Sequence, residues 1–193
     1  ELPDEFIRIL RKAVKETDPE AVLIGEVWED ASNKISYGVR REYFSGHELD
    51  SVMNYPLRDI LLRYILGHES AKLSVQRMMS LYENYPPENF RATMNLLGSH
   101  DRIRILTILG DAPPEGSLSF SEREEYRLSG PQRERAVKRL KLLVLLQMTL
   151  PCVPCVYYGD EAGVEGYSDP FNRAPYPWGR EDRELLEWHK KMI

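Results

Sequence analysis

Four short apolar runs, separated by stretches with helical periodicity, constrain this chain of 193 residues more than any other feature. The runs cover residues 21–25, 51–53, 92–97 and 153–158, and each passes into polar residues. The first has no polar alternation, the pattern of a strand covered on both faces in a parallel sheet. Around the runs, apolar residues recur at spacings of three and four. Leu2, Phe6, Ile9, Leu10, Ala13 and Val14 mark a first helix, and Leu57, Ile60, Leu61, Tyr64 and Ile65 a second. A third places Ala71, Val75, Met78, Met79 and Tyr82 on its buried side. Val137, Leu140, Val144 and Leu150 carry the buried face of a long helix after residue 131, and Leu185, Leu186, Trp188 and Met192 begin a last one. Ser121 with Glu124, and Ser129 with Gln132, have the spacing of a capping box. Residues 29–48 read mostly as loop. Strands alternating with helices in this way predict right-handed βαβ units, a parallel sheet and an α/β fold, with no linker dividing residues 1–193.

Composition removes several classes of function. Thirty-one acidic against 26 basic side chains give a net charge of -5, whereas nucleic-acid binders usually carry a basic surplus. No run approaches the ~20 apolar residues of a membrane span. The expected chain therefore has no nucleic-acid partner and no membrane segment. Two cysteines make no disulfide framework and suit a reducing, cytoplasmic compartment. Cys152-Val153-Pro154-Cys155 has redox-motif spacing, but such a pair belongs at the start of a helix that follows a strand. Here it enters a strand, where residues three apart face opposite ways. There is no second CxxC or close histidine pair for zinc, and no glycine-rich phosphate loop follows any strand. No cofactor and no metal ligand set is expected.

In parallel α/β folds the reactive groups gather beyond the carboxyl ends of the strands. The first run delivers Glu26, then Trp28, Glu29 and Asp30; the second delivers Asn54 and Tyr55. The third delivers His100 and Asp101, and the fourth Asp160 and Glu161. Carboxylates at three of four ends, beside an aromatic ring and a histidine, form a floor suited to a polar, ring-shaped ligand such as a sugar. Glycoside cleavage builds positive charge that carboxylates stabilise and needs a carboxylic acid to protonate the departing oxygen. Glu26, in an apolar strand next to tryptophan, is placed to have a raised pKa and fill that acid role. Plainer readings stand beside this one. Glu26 can be a solvated strand-end residue, and Ser99-His100-Asp101 a turn in which histidine and aspartate pair. Asp160-Glu161 can be a loop acid pair, and Tyr157-Tyr158 core and rim packing.

Several segments, taken together, carry a family likeness. Ile24-Gly25-Glu26-Val27-Trp28 resembles the third short motif of the α-amylase superfamily, the retaining glycosidases of glycoside hydrolase family 13. Asn95-Leu96-Leu97-Gly98-Ser99-His100-Asp101 resembles its fourth motif, and Tyr157-Tyr158-Gly159-Asp160-Glu161-Ala162-Gly163 its eighth-strand segment. Asp169-Pro170-Phe171-Asn172-Arg173, Pro175-Tyr176-Pro177-Trp178 and Val52-Met53-Asn54-Tyr55-Pro56 resemble the neopullulanase and cyclomaltodextrinase branch. The resemblance spans about residues 21–180, with its segments in the family's order.

It implies half of a (β/α)8 TIM barrel, strands five to eight with their helices, acting on α-1,4-glucan oligosaccharides such as maltodextrins or cyclomaltodextrins. By the same resemblance Glu26 is the general acid/base, and Asp101 the carboxylate that holds the sugar and stabilises the transition state. His100 contacts the same ring and Trp28 stacks on sugar. Glu26 and Asp101 are expected to project into one hollow. The family's nucleophile, an aspartate in an Arg-x-Asp motif at the fourth strand's end, has no counterpart here, so the 193 residues alone are expected to be inactive. Two departures fall where subsites are shaped: Arg102 follows Asp101 where a small or polar residue is common, and Ala174 follows Arg173 where a second basic residue is common. The alternative class is a non-catalytic interaction module or carbohydrate-binding fragment. A half barrel has two open strand edges, which invite homodimer formation.

Overall fold

The computed structural model describes residues 2–193; Glu1, where the expected domain span begins, lies outside the described residues. The chain divides into two units, the first running to Asn95 and taking in Pro151–Val153, the second comprising Leu96–Leu150 and Pro154–Ile193.

The first unit opens with α1 (Asp4–Thr17), whose acidic residues Asp4 and Glu5 lie in the first turn, where the helix dipole favours them. The chain then enters β1 (Ile24–Gly25), which pairs in parallel with β4 (Ser51–Val52) in the register Ile24↔Ser51 and Gly25↔Val52. Met53 bridges Met94 in parallel, and the Val153 amide donates to the Thr93 carbonyl at 2.9 Å. The expected parallel pairing is thus present between β1 and β4 and at the Met53–Met94 bridge, though the strands are shorter than the apolar runs. Helix α2 (Tyr55–Ile65) starts under an Asn54 cap that accepts from the Leu57 amide at 3.1 Å, with Pro56 in the first turn. It buries Leu57, Ile60 and Leu61, as the periodicity predicts, whereas Tyr64 is exposed and Ile65 half-buried. Helices α3 (Ala71–Asn84) and α4 (Pro87–Ala92) follow.

Three expectations fail in this unit. Val75, Met79 and Tyr82 are exposed, and α3 buries Ser74 and Leu81 instead. The cause is polar: Ser74 donates to Glu69 at 3.0 Å, and Arg77 donates to both Glu69 (3.0 Å) and Asp59 (3.1 Å). This network draws the 74–77–81 face inward. Residues 29–48 contain a hairpin, β2 (Ile35–Ser36) with β3 (Val39–Arg40), turned by Tyr37 and Gly38 at φ 52° and 78°. Two-residue hairpin turns need such left-handed dihedrals, and tyrosine is a weak signal for them. Finally, the first strand is not covered on both faces: Ile24 and Val22 are exposed. The apolar face of α1 is exposed as well at Leu2, Phe6, Ile9 and Leu10, leaving Ile7 buried.

Strand β5 (Met94–Leu96) leads into the second unit, which contains α5 (Ile105–Leu109), a 3-10 turn at Glu115–Ser117, α6 (Phe120–Glu125) and α7 (Gly130–Thr149). After β6 (Val153–Cys155) come a second 3-10 turn at Phe171–Arg173 and α8 (Arg183–Met192). Ile105, Leu106, Leu109, Leu140, Leu143, Val144 and Leu185 are fully buried and make its core. Of the face expected on α7, Leu140 and Val144 are buried while Val137 and Leu150 are half-buried. The capping box at Ser129 and Gln132 forms. The other lies at Ser119 and Glu122 rather than Ser121 and Glu124. Phe120 packs on Phe171 with ring centroids 5.0 Å apart and Arg123 pairs with Glu115 at 3.1 Å, which sets the helix start at Phe120. Helix α8 buries His189 beside Leu185, the imidazole Nδ1 lying 2.8 Å from the Leu185 carbonyl.

Candidate active-site residues

Glu26 follows β1 directly, between Gly25 and the buried Val27. Gly25 permits close packing: a Cβ there would lie 2.4 Å from Leu49 Cδ1. The Glu26 carboxylate is exposed, yet it is not loosely held. Its Oε1 accepts from the Tyr55 hydroxyl at 3.1 Å and from Trp28 Nε1 at 3.2 Å. The two donor rings pack on one another, centroids 5.3 Å apart and inclined by 32°. Tyr55 is buried at the start of α2, where the Asn54 cap and a bond from its own amide to the Met53 carbonyl (2.9 Å) fix it. A cavity of about 340 Å³ beside Glu26 is lined chiefly by apolar side chains, among them Ile7, Leu10, Ile24, Val27 and Leu49. In this unit the structure brings together two of the predicted residues, Glu26 and Trp28, and adds Tyr55. Sequence reasoning placed Tyr55 at a strand end without giving it a partner.

In the second unit His100 and Asp101 are both exposed, and their side chains approach to 3.4 Å. The Asp101 amide donates to Ser99 Oγ at 3.3 Å, so the turn reading of Ser99-His100-Asp101 holds at the level of the backbone. The turn is clamped from the later loop. Arg173 donates to Asp101 Oδ1 at 3.0 Å and to the His100 carbonyl at 3.1 Å, and also pairs with Asp169 at 3.1 Å. The buried Asn172 amide donates to the carbonyls of His100 (2.7 Å) and Arg102 (2.9 Å), one on each side of Asp101. Asn172 and Arg173 were quoted from the sequence for their motif alone; their clamp on residues 100–102 was not foreseen.

In the acid pair after the fourth run, Glu161 is half-buried and hydrogen-bonded to Tyr176. Asp160 is buried, 3.2 Å from the Arg104 guanidinium, which also donates to the Tyr158 carbonyl at 2.5 Å. That guanidinium lies over the rings of Tyr157 and Tyr158, 4.4 and 4.8 Å from their centroids. Asp160 is therefore a structural anion, and Tyr157-Tyr158 packs as the plainer reading held. Cys152 and Cys155 are free thiols, and burial pushes both pKa values up.

Residues 3–190 match the family described as Alpha amylase, catalytic domain. The chain belongs to the α-amylase family of glycoside hydrolases. It is 40% identical over 205 residues to an amylopullulanase of Thermoanaerobacter thermohydrosulfuricus, covering 100% of this chain and 13% of that protein. It is 34% identical over 196 residues to a cyclomaltodextrinase of Geobacillus thermopakistaniensis, covering 100% of this chain and 28% of the relative. Among solved structures, the type III pullulan hydrolase from Thermococcus kodakarensis superposes with a TM-score of 0.78 at 33% identity, over 97% of this chain and 29% of that one. The cyclic α-maltosyl-(1→6)-maltose hydrolase of Arthrobacter globiformis does so with a TM-score of 0.78 at 27% identity, over 99% and 37%. The fold neighbours are α-amylase-type TIM barrels. The chain spans well under half the length of each of these relatives.

Proposed function

We propose that these residues form the second half of a retaining α-amylase-type catalytic barrel, strands five to eight with their helices, acting on α-1,4-glucan oligosaccharides. The observation that carries the reading is the match of residues 3–190 to the catalytic domain. The pair of hydrogen bonds that fix Glu26 supports it further. In this mechanism Glu26 protonates the departing glycosidic oxygen while an aspartate outside these 193 residues attacks the anomeric carbon. The bond to the leaving sugar breaks, a covalent glycosyl-enzyme forms, and Glu26, now ionised, takes a proton from the incoming water. Retention by this route needs nucleophile and acid about 5–5.5 Å apart. Asp101 stabilises the positive charge that develops on the sugar, His100 contacts the same ring, and Trp28 offers a face for stacking. Arg173 holds the Asp101 carboxylate in one orientation, which suits a group that must meet a defined sugar hydroxyl.

The 193 residues alone are inactive in this reading, since the covalent step lacks its nucleophile. Isolated copies pair through open strand edges, and two unbridged thiols suit a reducing, cytoplasmic setting. The test compares the 193-residue chain with a longer polypeptide that supplies an Arg-x-Asp segment upstream, assayed on maltoheptaose. The short chain should show no turnover and the long one should. Glu26→Gln and Asp101→Asn should each lower kcat of the long form by a factor of about 10² or more. Turnover by the short chain, or an active Glu26→Gln enzyme, would refute the assignment.

A further inference from the structure

Trp178 is 81% exposed, far beyond what packing would leave for the largest apolar side chain. It is not a loose group. Its ring lies 4.5 Å from that of Tyr176, inclined by 49°. The turn beneath is tied by bonds from the Trp178 amide to the Tyr176 carbonyl (2.9 Å) and from the Arg180 amide to the Pro177 carbonyl (2.8 Å). The Gly179 amide donates to Glu181 at 2.9 Å, and Gly179 takes the left-handed φ of 75°. Pro175 and Pro177 restrict the backbone on either side of Tyr176. Such a turn presents its aromatic faces with little ordering cost left for binding.

Beside this pair lies a cleft of about 510 Å³, lined by Tyr176, Pro175, Pro177, Arg127, Arg180 and the ion pair of Arg133 with Glu165. Arg133 also pairs with Asp182 at 2.8 Å. The guanidinium groups of Arg127, Arg133 and Arg180 lie among carboxylates: Glu165 and Asp182 pair with Arg133, Glu181 accepts from the Gly179 amide, and Glu161 is hydrogen-bonded to Tyr176. A wall that mixes both signs gives an anion no consistently positive surface, and it would leave charges uncompensated under an apolar peptide. It offers donors and acceptors together, next to flat apolar rings. A neutral polyhydroxyl chain with apolar CH faces meets both demands.

We propose that Tyr176, Trp178 and the adjoining cleft form a binding site for a maltooligosaccharide chain, with Trp178 as the stacking platform and Arg127 and Arg180 as donors to hydroxyls. The choice of sugar rests on the substrate class proposed above; the site uses none of the residues given catalytic or sugar-contacting roles there. Calorimetric titration of the 193-residue protein with maltoheptaose tests it. Binding should be saturable, weaker by about tenfold or more in Trp178→Ala, intermediate in Trp178→Phe, and unchanged in Tyr37→Asn, which removes an exposed ring outside both sites, with circular dichroism identical throughout. Unchanged affinity in Trp178→Ala, an equal loss in Tyr37→Asn, or no binding by the wild-type chain would each overturn the site. None of these results depends on turnover, so its failure and the failure of the catalytic assignment are separate events.

Discussion

The Arg104 guanidinium and the Asp160 carboxylate, 3.2 Å apart and both buried, form an ion pair against which Gly98 is packed. A Cβ on Gly98 would stand 2.1 Å from Asp160 Oδ2, closer than atoms can approach. Glycine is therefore required two residues before His100 because of a charge that is far away in sequence. Gly98→Ala should displace Asp160 and destabilise the fold by about 1–3 kcal/mol, the usual cost of overpacking. Asp160→Ala should cost more, about 3–5 kcal/mol, because it leaves a buried guanidinium without its anion. Combining Asp160→Ala with Arg104→Met should cost less than the sum of the two single changes. Urea midpoints for the four variants provide the check.

Two neighbouring carboxylates should give opposite pH dependence. Burial pushes the Asp50 carboxyl up, but bonds from the Leu23 amide (2.9 Å), Arg11 (2.8 Å) and Lys15 (3.2 Å) outweigh it and hold it below the ordinary range. The folded state then binds fewer protons than the unfolded one, so this contribution is present above pH ~4 and lost as pH falls through the folded value. Glu48 is the reverse. Burial, and then the nearby Asp4, raise its pKa despite Arg8 at 3.2 Å and Arg41. Above pH ~4.3 the folded state holds the extra proton, so its contribution falls as pH rises through the raised value. Asp50→Asn should therefore cost stability at pH 7 and little at pH 3. Glu48→Gln should gain relative to the parent as pH climbs from 4 to 7. Thermal midpoints measured across that range would show the two curves diverging, and parallel curves would disprove the argument.

The cysteines give a chemical prediction. Desolvation raises both thiols, with Thr93 partly offsetting the effect at Cys152. A redox motif lowers the pKa of its attacking thiol, since the thiolate is the nucleophile. Both side chains should accordingly react with iodoacetamide at pH 7 more slowly than free cysteine, and neither should show a fast phase. A rapid phase for either would restore the redox reading set aside on sequence grounds.

What was legible in the sequence follows from where the signal is local. The alternation of strands and helices, the cap at Ser129, and the core face at Leu140 and Val144 all come from periodicity or short-range bonding. Helix α3 misled because its apolar residues line the face turned to solvent, while Ser74 and Arg77 follow Glu69 inward. No periodicity rule weighs such a network. The hairpin at residues 35–40 was hidden because Tyr37 takes a dihedral that tyrosine rarely adopts. Glu26, Trp28, Tyr55, His100 and Asp101 stand out as candidates because they follow strands, but the bonds of Tyr55 and Asn172 to partners 29 and 72 residues away carry no local signal.

The exposed apolar surface of the first unit bears on association. Strand β1 pairs with β4 through one edge, and Ile24 and Val22 remain 46% and 61% exposed. Leu2, Phe6, Ile9 and Leu10 on or beside α1 are also exposed, and some of the same residues line the 340 Å³ cavity. Adjacent apolar groups of this size, next to a strand, favour burial against another surface. Proteins that keep such edges soluble and monomeric commonly place lysine or proline there. β1 has neither: its two residues are isoleucine and glycine. Copies of the 193-residue chain should therefore associate at concentrations of tens of micromolar. The interaction should strengthen with sulfate, which favours apolar burial, rather than weaken as a charge-driven contact would. Ile24→Lys should shift the population towards single chains while leaving circular dichroism unchanged, because Ile24 is already half in water. Light scattering coupled to gel filtration reads both effects. A wild-type chain that elutes with the mass of one copy at high concentration and high sulfate would show that this surface does not drive pairing.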